Sequence, residues 1–294
     1  MKLSYHVAAA EAGLTVEGIL RKNLGFSRTM LRKLKRFSGV RVNGQEVLLN
    51  QRLQAGERLS IRLQFEGSTD IIPQPLPIDI KYEDEHLLIV DKPGNMLVHP
   101  LRHEPLNTLA NAVLGHYNKD EELVYRPLSR LDRNTSGLVV VAKHAYAGCR
   151  LSRQLSSGEL WKEYLAVVHG DLSPECGFID LPIDRCKDST IKHMVCAAGK
   201  RAVTFYRVEK HLAACTLVRL RTATGRTHQI RVHMSYIGHP LLGDSLYGGR
   251  VDDITRQALH CCLVRLKHPI TGEVLEVEAP LPKEMEEVIL KFLS

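Results

Sequence analysis

No apolar run in the 294-residue sequence reaches the roughly 18–20 residues that a bilayer-spanning helix requires. Nothing in Met1–Gly13 has the basic start and apolar stretch of a signal peptide, so a membrane or secreted role is not expected. The seven cysteines, Cys149, Cys176, Cys186, Cys196, Cys215, Cys261 and Cys262, contain no C-x-x-C pair. An odd, scattered set argues against a disulfide framework and for reduced thiols in a cytoplasmic protein. Also missing are a G-x-G-x-x-G turn after a strand, a G-x-x-x-x-G-K phosphate loop and any metal-binding quartet. His228 and His233 lie five apart with no Glu between them, which does not match the i, i+4 zinc pair of a helix, so no metal is expected.

What is present begins with ordinary globular proportions, 44% hydrophobic and 25% charged residues, in a chain long enough for two domains. The formal net charge of +7 is unevenly placed. Residues 12–64 hold eleven Lys/Arg against three Asp/Glu, a local balance of +8, whereas 65–294 carry 28 basic and 29 acidic groups. A positive excess confined to about fifty residues suits an electrostatic arm for a polyanion, with nucleic acid ahead of membrane as candidate.

Val16, Ile19, Leu20 and Leu24 recur at helical spacing, and Gly25 follows as a stop. Ser27 can cap a second helix whose apolar side is Met30, Leu31, Leu34 and Phe37. Arg28, Arg32, Lys35 and Arg36 share one face of that helix. The stripe reads either as a solvated face or as a set of phosphate contacts, and Arg41 in the following hairpin adds to it. Asn43-Gly44 is the turn of that hairpin, and Leu59, Ile61 and Leu63 alternate as a half-buried strand. Residues 1–64 therefore read as a small basic domain, 65–77 with Pro73, Pro75 and Pro77 as a semi-extended linker, and 78–294 as a larger domain. Strands are expected near 78–82, 87–90, 137–142, 164–168, 203–208 and 215–220, and helices near 109–113, 145–155 and 227–237. Their order does not repeat as β-α-β, which predicts an α+β fold with a mixed, largely antiparallel sheet.

Arg126 to Lys143 is a polar loop feeding a buried strand through Gly137. Asp132 lies in sequence among Arg126, Arg130 and Arg133, and nearby cations favour the ionised carboxylate that a nucleophile requires. The same Asp taken alone reads first as a loop residue that caps backbone amides or pairs with one Arg. Arg221 to Met234 joins a strand to a helix and carries Arg226, His228 and Arg231, side chains suited to phosphate and base contacts.

Five segments together closely resemble the pseudouridine synthases of the RluA/RluD type: Leu88–Gly94, Arg130–Asp132 with Thr135–Gly137, Lys162–Ala166, Thr224–His233 and His239–Gly248. Residues 12–64 resemble the αL RNA-binding module named after the fourth protein of the small ribosomal subunit. The resemblance implies isomerisation of uridines in structured RNA, ribosomal large-subunit RNA first and transfer RNA as alternative, by a monomer without cofactor. It implies Asp132 as nucleophile, Tyr164 stacked on the extruded uracil and helping to move the carbon-5 proton, Arg231 paired with Asp132, and Arg130 filling the gap left by the flipped base. From the residues alone, Tyr164 could be a core aromatic and Arg231 a surface arginine. The resemblance also leaves open a protein that binds RNA without turnover. One departure stands out: Ser129 occupies the place where many relatives have His before Arg-Leu-Asp.

Overall fold

A computed structural model describes residues 2–62, 70–117 and 123–293. Its first unit is a four-stranded antiparallel sheet in the order β1-β4-β2-β3, with two helices packed on it. The elements are β1 (Lys2–His6), α1 (Val16–Lys22), α2 (Arg28–Arg36), β2 (Val40–Val42), β3 (Gln45–Glu46) and β4 (Arg58–Arg62). Both helices start where their caps dictate: Thr15 Oγ1 accepts from the Gly18 amide at 3.1 Å and Ser27 Oγ from the Met30 amide at 3.2 Å. Val16, Ile19, Leu20, Met30, Leu31 and Leu34 then bury against Val40, Val42, Leu59 and Ile61 of the sheet. The β2–β3 turn has φ of 49° at Asn43 and 88° at Gly44, the positive values that an Asn-Gly turn supplies. Strand β1 is not apparent in the sequence; it pairs along its whole length with β4.

The second unit is a ten-stranded sheet. Its elements are β5 (Asp79–Glu83), β6 (Leu87–Lys92), α3 (Leu109–His116), β7 (Arg126–Pro127), β8 (Ser136–Ala142), α4 (Ala145–Ser157), β9 (Trp161–His169) and β10 (Cys176–Asp180). A small ribbon of β11 (Ile183–Arg185) and β12 (His193–Val195) stands apart, followed by β13 (Val203–His211), β14 (Cys215–Thr222), α5 (Gln229–Tyr236), β15 (Leu259–Lys267), β16 (Val274–Glu278) and α6 (Lys283–Lys291). The main path runs β10-β13-β14-β9-β15-β8-β6-β5, with β16 beside β15 and β7 beside β8. Every pair is antiparallel except β15 with β8. The sheet is thus mixed and largely antiparallel.

Strand β15 forks the sheet. Its first residues pair in parallel with β8 and its later ones with β16, while β9 follows its other edge. At the fork the Cα partners run Lys92, Gly137, Cys261, Tyr164 across four strands. Gly137 has φ of 111°, and a Cβ there would lie 2.3 Å from the Cys261 carbonyl oxygen, so only glycine permits this approach. Two apolar cores meet at this line, and Tyr164 packs against both.

Two local departures from expectation have clear causes. Positions 63–69, including Leu63 and the first part of the expected linker, lie outside the described residues. The rest of that segment is pinned: the Gln74 amide donates to Asn111 O at 3.0 Å, and Asn111 Nδ2 donates to Ile72 O at 2.8 Å. Helix α5 starts at Gln229 and not at 227, because His228 takes φ of 56° and breaks the helical path. The two units touch: Phe26 and Tyr146 have ring centroids 4.9 Å apart, and Cys149 Sγ lies 3.2 Å from Gly25 O. Among the described residues, no helix is long and apolar enough to cross a membrane.

Candidate active site

The loop that carries Asp132 is held from beneath by buried groups. Lys92 Nζ, wholly buried, donates to Arg133 O at 3.1 Å and to Pro93 O at 2.7 Å. Arg256 donates from Nη1 to Asn134 O at 3.0 Å and from Nη2 to Ser136 Oγ at 3.2 Å. Gln257 Nε2 donates to Thr135 Oγ1 at 3.2 Å. These bonds explain the polar Thr-Ser pair inside the fold: both side chains are 2% exposed and both are satisfied. Burial, and after it the Arg256 charge, pushes the Lys92 ammonium down to about 7.

The arginines adjacent in sequence are not the partners of Asp132. Arg133 forms a two-armed pair with Glu104, at 2.6 and 2.5 Å, and Arg126 donates to Val124 O at 3.0 Å. Arg130 is exposed. The cation beside Asp132 is Arg231, whose Nη1 donates to Oδ2 at 3.0 Å across 99 residues of sequence. Arg231 is buried on α5 and is not a surface residue. Its guanidinium is fixed by Asp244, with Nε to Oδ2 at 2.7 Å and Nη2 to Oδ1 at 2.8 Å, and it lies 4.9 Å over the Tyr247 ring. Burial alone would lower the Arg231 pKa; Asp244 and then Asp132 outweigh it and raise it.

One cation thus faces two carboxylates. Asp244, 1% exposed, takes the forked edge of the guanidinium and matches its charge. Asp132 receives a single side-chain donor among the described residues and keeps its side chain 26% exposed. His228 adds no second charge: its Nε2 lies 3.8 Å from Asp132 Oδ2, its Nδ1 shares a 2.9 Å bond with the Tyr247 hydroxyl, and burial lowers its pKa. His228, expected at the RNA surface, therefore stands beside the carboxylate.

Tyr164 enters from β9. Its hydroxyl pKa is raised well above the ordinary value by burial, then by Cys261 and by the Asp132 charge, so the phenol stays neutral. Two positions before it, Lys162 donates to Ser129 Oγ at 2.5 Å, which ties β9 to the Asp132 loop at the position where the sequence departs from many relatives. Burial lowers the Lys162 pKa. Arg226 is exposed, its Nε donating to Arg201 O at 2.9 Å, while His233 is a core residue bonded to Thr204 Oγ1 and Leu181 O. Arg28, Arg32, Lys35, Arg36 and Arg41 stand exposed on the small unit, far in sequence from Asp132, with Arg41 paired to Glu46 at 3.2 Å.

Sequence reasoning passed over Lys92, Arg256, Gln257, Asp244 and Tyr247. Asp244 and Tyr247 sit in the His239–Gly248 segment, where an acid and an aromatic in an otherwise apolar and glycine-rich run were the available signal. Lys92 lies at the end of an apolar strand, and a lysine there signals a buried cation that must find acceptors.

The chain is similar to known proteins along most of its length. The model of the RNA pseudouridylate synthase family matches residues 86–236, and that of the RluD ribosomal pseudouridine synthase N-terminal domain matches residues 3–59. The chain is 40% identical over 269 residues to the uncharacterised RNA pseudouridine synthase YjbO of Bacillus subtilis, covering 90% of this chain and 95% of that one. It is 39% identical over 281 residues to the ribosomal large subunit pseudouridine synthase D of Vibrio cholerae, covering 90% and 86%. Among solved structures, human RNA pseudouridylate synthase domain containing 1 superposes with a TM-score of 0.60 at 28% identity, covering 69% of this chain and 83% of that one. This chain belongs to the RNA pseudouridylate synthase family.

Proposed function

We propose that the enzyme isomerises specific uridines of large-subunit ribosomal RNA to pseudouridine, with Asp132 as nucleophile. The observation that carries the catalytic part is the charge balance around Arg231. Asp244 already matches the guanidinium, so Asp132 is oriented by one 3.0 Å bond without being neutralised by a cation of its own. A carboxylate held in place and open to solvent is what covalent attack requires. The ribosomal part is supported by the likeness to the Vibrio cholerae enzyme named for that substrate.

The target uridine must leave its stack at a cost of a few kcal/mol, and stacking on an aromatic face, worth about 1–3 kcal/mol per base, offsets much of it. Tyr164 supplies that face. Asp132 makes a transient bond to the uridine that is broken again before product leaves, while the bond between ribose and base nitrogen breaks and a new one forms to carbon 5 of the same ring. The carbon-5 proton leaves and the freed nitrogen gains one, so atoms and electrons balance without an external oxidant or reductant. Because the Tyr164 phenol is held neutral, its part in the proton movement is as a hydroxyl that donates and accepts, not as a phenolate base. Arg130, exposed two residues from Asp132, is assigned to the space that the flipped base leaves. Arg28, Arg32, Lys35, Arg36, Arg41 and Arg226 serve phosphate contacts outside the site.

The test is tritium release from RNA labelled at uracil carbon 5, wild type against Asp132→Ala. Release by wild type alone supports the nucleophile. Equal release by both sinks it, and release by neither sinks turnover and favours a protein that only binds RNA. Pseudouridine mapping across total RNA, with and without the gene, separates ribosomal from transfer RNA.

A further inference from the structure

The small unit does not hang free of the catalytic unit. The Tyr146 side chain of α4 is 4% exposed and belongs to the apolar cluster of the small unit, against Phe26, and Cys149 one turn on contacts Gly25 O. At this junction α4 brings two arginines to the foot of α2. A Cβ placed on Gly25 would lie 3.0 Å from the Arg153 guanidinium and 3.5 Å from Arg150 Cδ, and Gly25 stands three residues before α2 begins. Arg150 is half-buried and Arg153 exposed, and among the described residues neither forms an ion pair. Helices α2 and α4 contain no Asp or Glu at all. Arg28, Arg32, Lys35 and Arg36 likewise have no carboxylate partner among the described residues.

We propose that Arg150 and Arg153 on α4 continue the basic face of α2 as one phosphate-binding surface for the RNA substrate, held at fixed spacing by the Phe26–Tyr146 contact. This rests on the reading of the enzyme as acting on structured RNA. Unpaired guanidinium groups on two acid-free helices, α4 lying against the Gly25–Phe26 segment that leads into α2, fit a polyphosphate backbone better than a protein partner, which would need matching carboxylates and apolar surface. The rigid contact matters because it sets where the bound backbone runs relative to Asp132. Phosphates gripped on a freely swinging unit would add affinity without placing the uridine.

The test uses the full chain, large-subunit ribosomal RNA transcribed in vitro, and transfer RNA as second probe. Binding is measured against salt, and single-turnover conversion is read at saturating RNA. For Arg150→Ala/Arg153→Ala, binding weakens and the slope of log K against log salt falls by about 1.4 to 1.8, the contribution of two phosphate contacts. An equal loss in the charge-matched control Lys210→Ala/Lys283→Ala, or an unchanged slope in the α4 variant, overturns the proposal. Tyr146→Ala keeps every charge and loosens only the spacing, so the slope stays while conversion at saturating RNA falls. Unchanged conversion in that variant shows that the Phe26–Tyr146 contact does not set the spacing. Failure of wild type to convert either RNA would instead strike the functional reading, which the slope difference does not depend on.

Discussion

Replacing Asp244 by Asn probes the charge arrangement without touching RNA. Asp244 is 1% exposed and meets Arg231 through two parallel bonds, at 2.7 and 2.8 Å. The amide keeps the shape and one acceptor but places an NH₂ group against a guanidinium donor and leaves a buried cation with Asp132 as its sole counter-charge. Breaking one side of a buried, hydrogen-bonded pair costs about 3–5 kcal/mol. At roughly 2–4 °C per kcal/mol for a chain of this order, the melting temperature should fall by roughly 6–20 °C. Catalysis should suffer separately, because Arg231 is then free to turn toward Asp132. A displacement near 1 Å at a reacting group costs on the order of a hundredfold in rate. The assay pairs thermal unfolding with single-turnover conversion measured well below the transition of the variant. The expected pattern is a large fall in kcat with KM for RNA little changed. A variant with wild-type melting temperature and wild-type rate would refute the assignment of Asp244 as the group that fixes Arg231.

Gly137→Ala should prevent the β8–β15 pairing, since the added Cβ meets Cys261 O at 2.3 Å and the φ of 111° disfavours any side chain; recovery of soluble, cooperatively unfolding protein would contradict this. Burial lowers both His144 and His260 to about 4. The unfolded chain therefore binds these protons first, so their contribution is complete above about pH 6.5 and is lost as pH falls toward 4, on the order of 3 kcal/mol each. Urea midpoints from pH 7 to 4.5 should fall more steeply in wild type than in His144→Gln/His260→Gln, and parallel curves would rule the histidines out. Removing Arg28, Arg32, Lys35 and Arg36 together should lower the salt slope of RNA binding by roughly 2.8 to 3.6, and an unchanged slope would move RNA capture elsewhere.

The legible parts of the fold are those whose physics is local. The caps Thr15 and Ser27, the stripes of α1 and α2 and the Asn43-Gly44 turn are written in contiguous residues, and the elements follow them. Strand β15 is central, with all of Leu259–Val264 buried, so its sequence lacks the alternation that marks a half-exposed strand, and nothing local announces its fork. The site shows the same divide. Arg126 and Arg133 stand close to Asp132 in sequence, yet backbone direction turns them to Val124 O and Glu104. The real partner is 99 residues away, a contact that only the family resemblance suggested. The roles of Asp244 and Lys92 could not be inferred from their neighbours, because each acts through a bond that exists only once the chain has folded.

The central claim, that the Asp132 carboxylate is the attacking group, is tested most directly by Asp132→Asn, which preserves size and removes the charge. The measurement is tritium release from carbon-5-labelled RNA at saturating concentration, in a variant shown to bind RNA as wild type does. No release above background is expected. Release within a few-fold of the wild-type rate would contradict the claim.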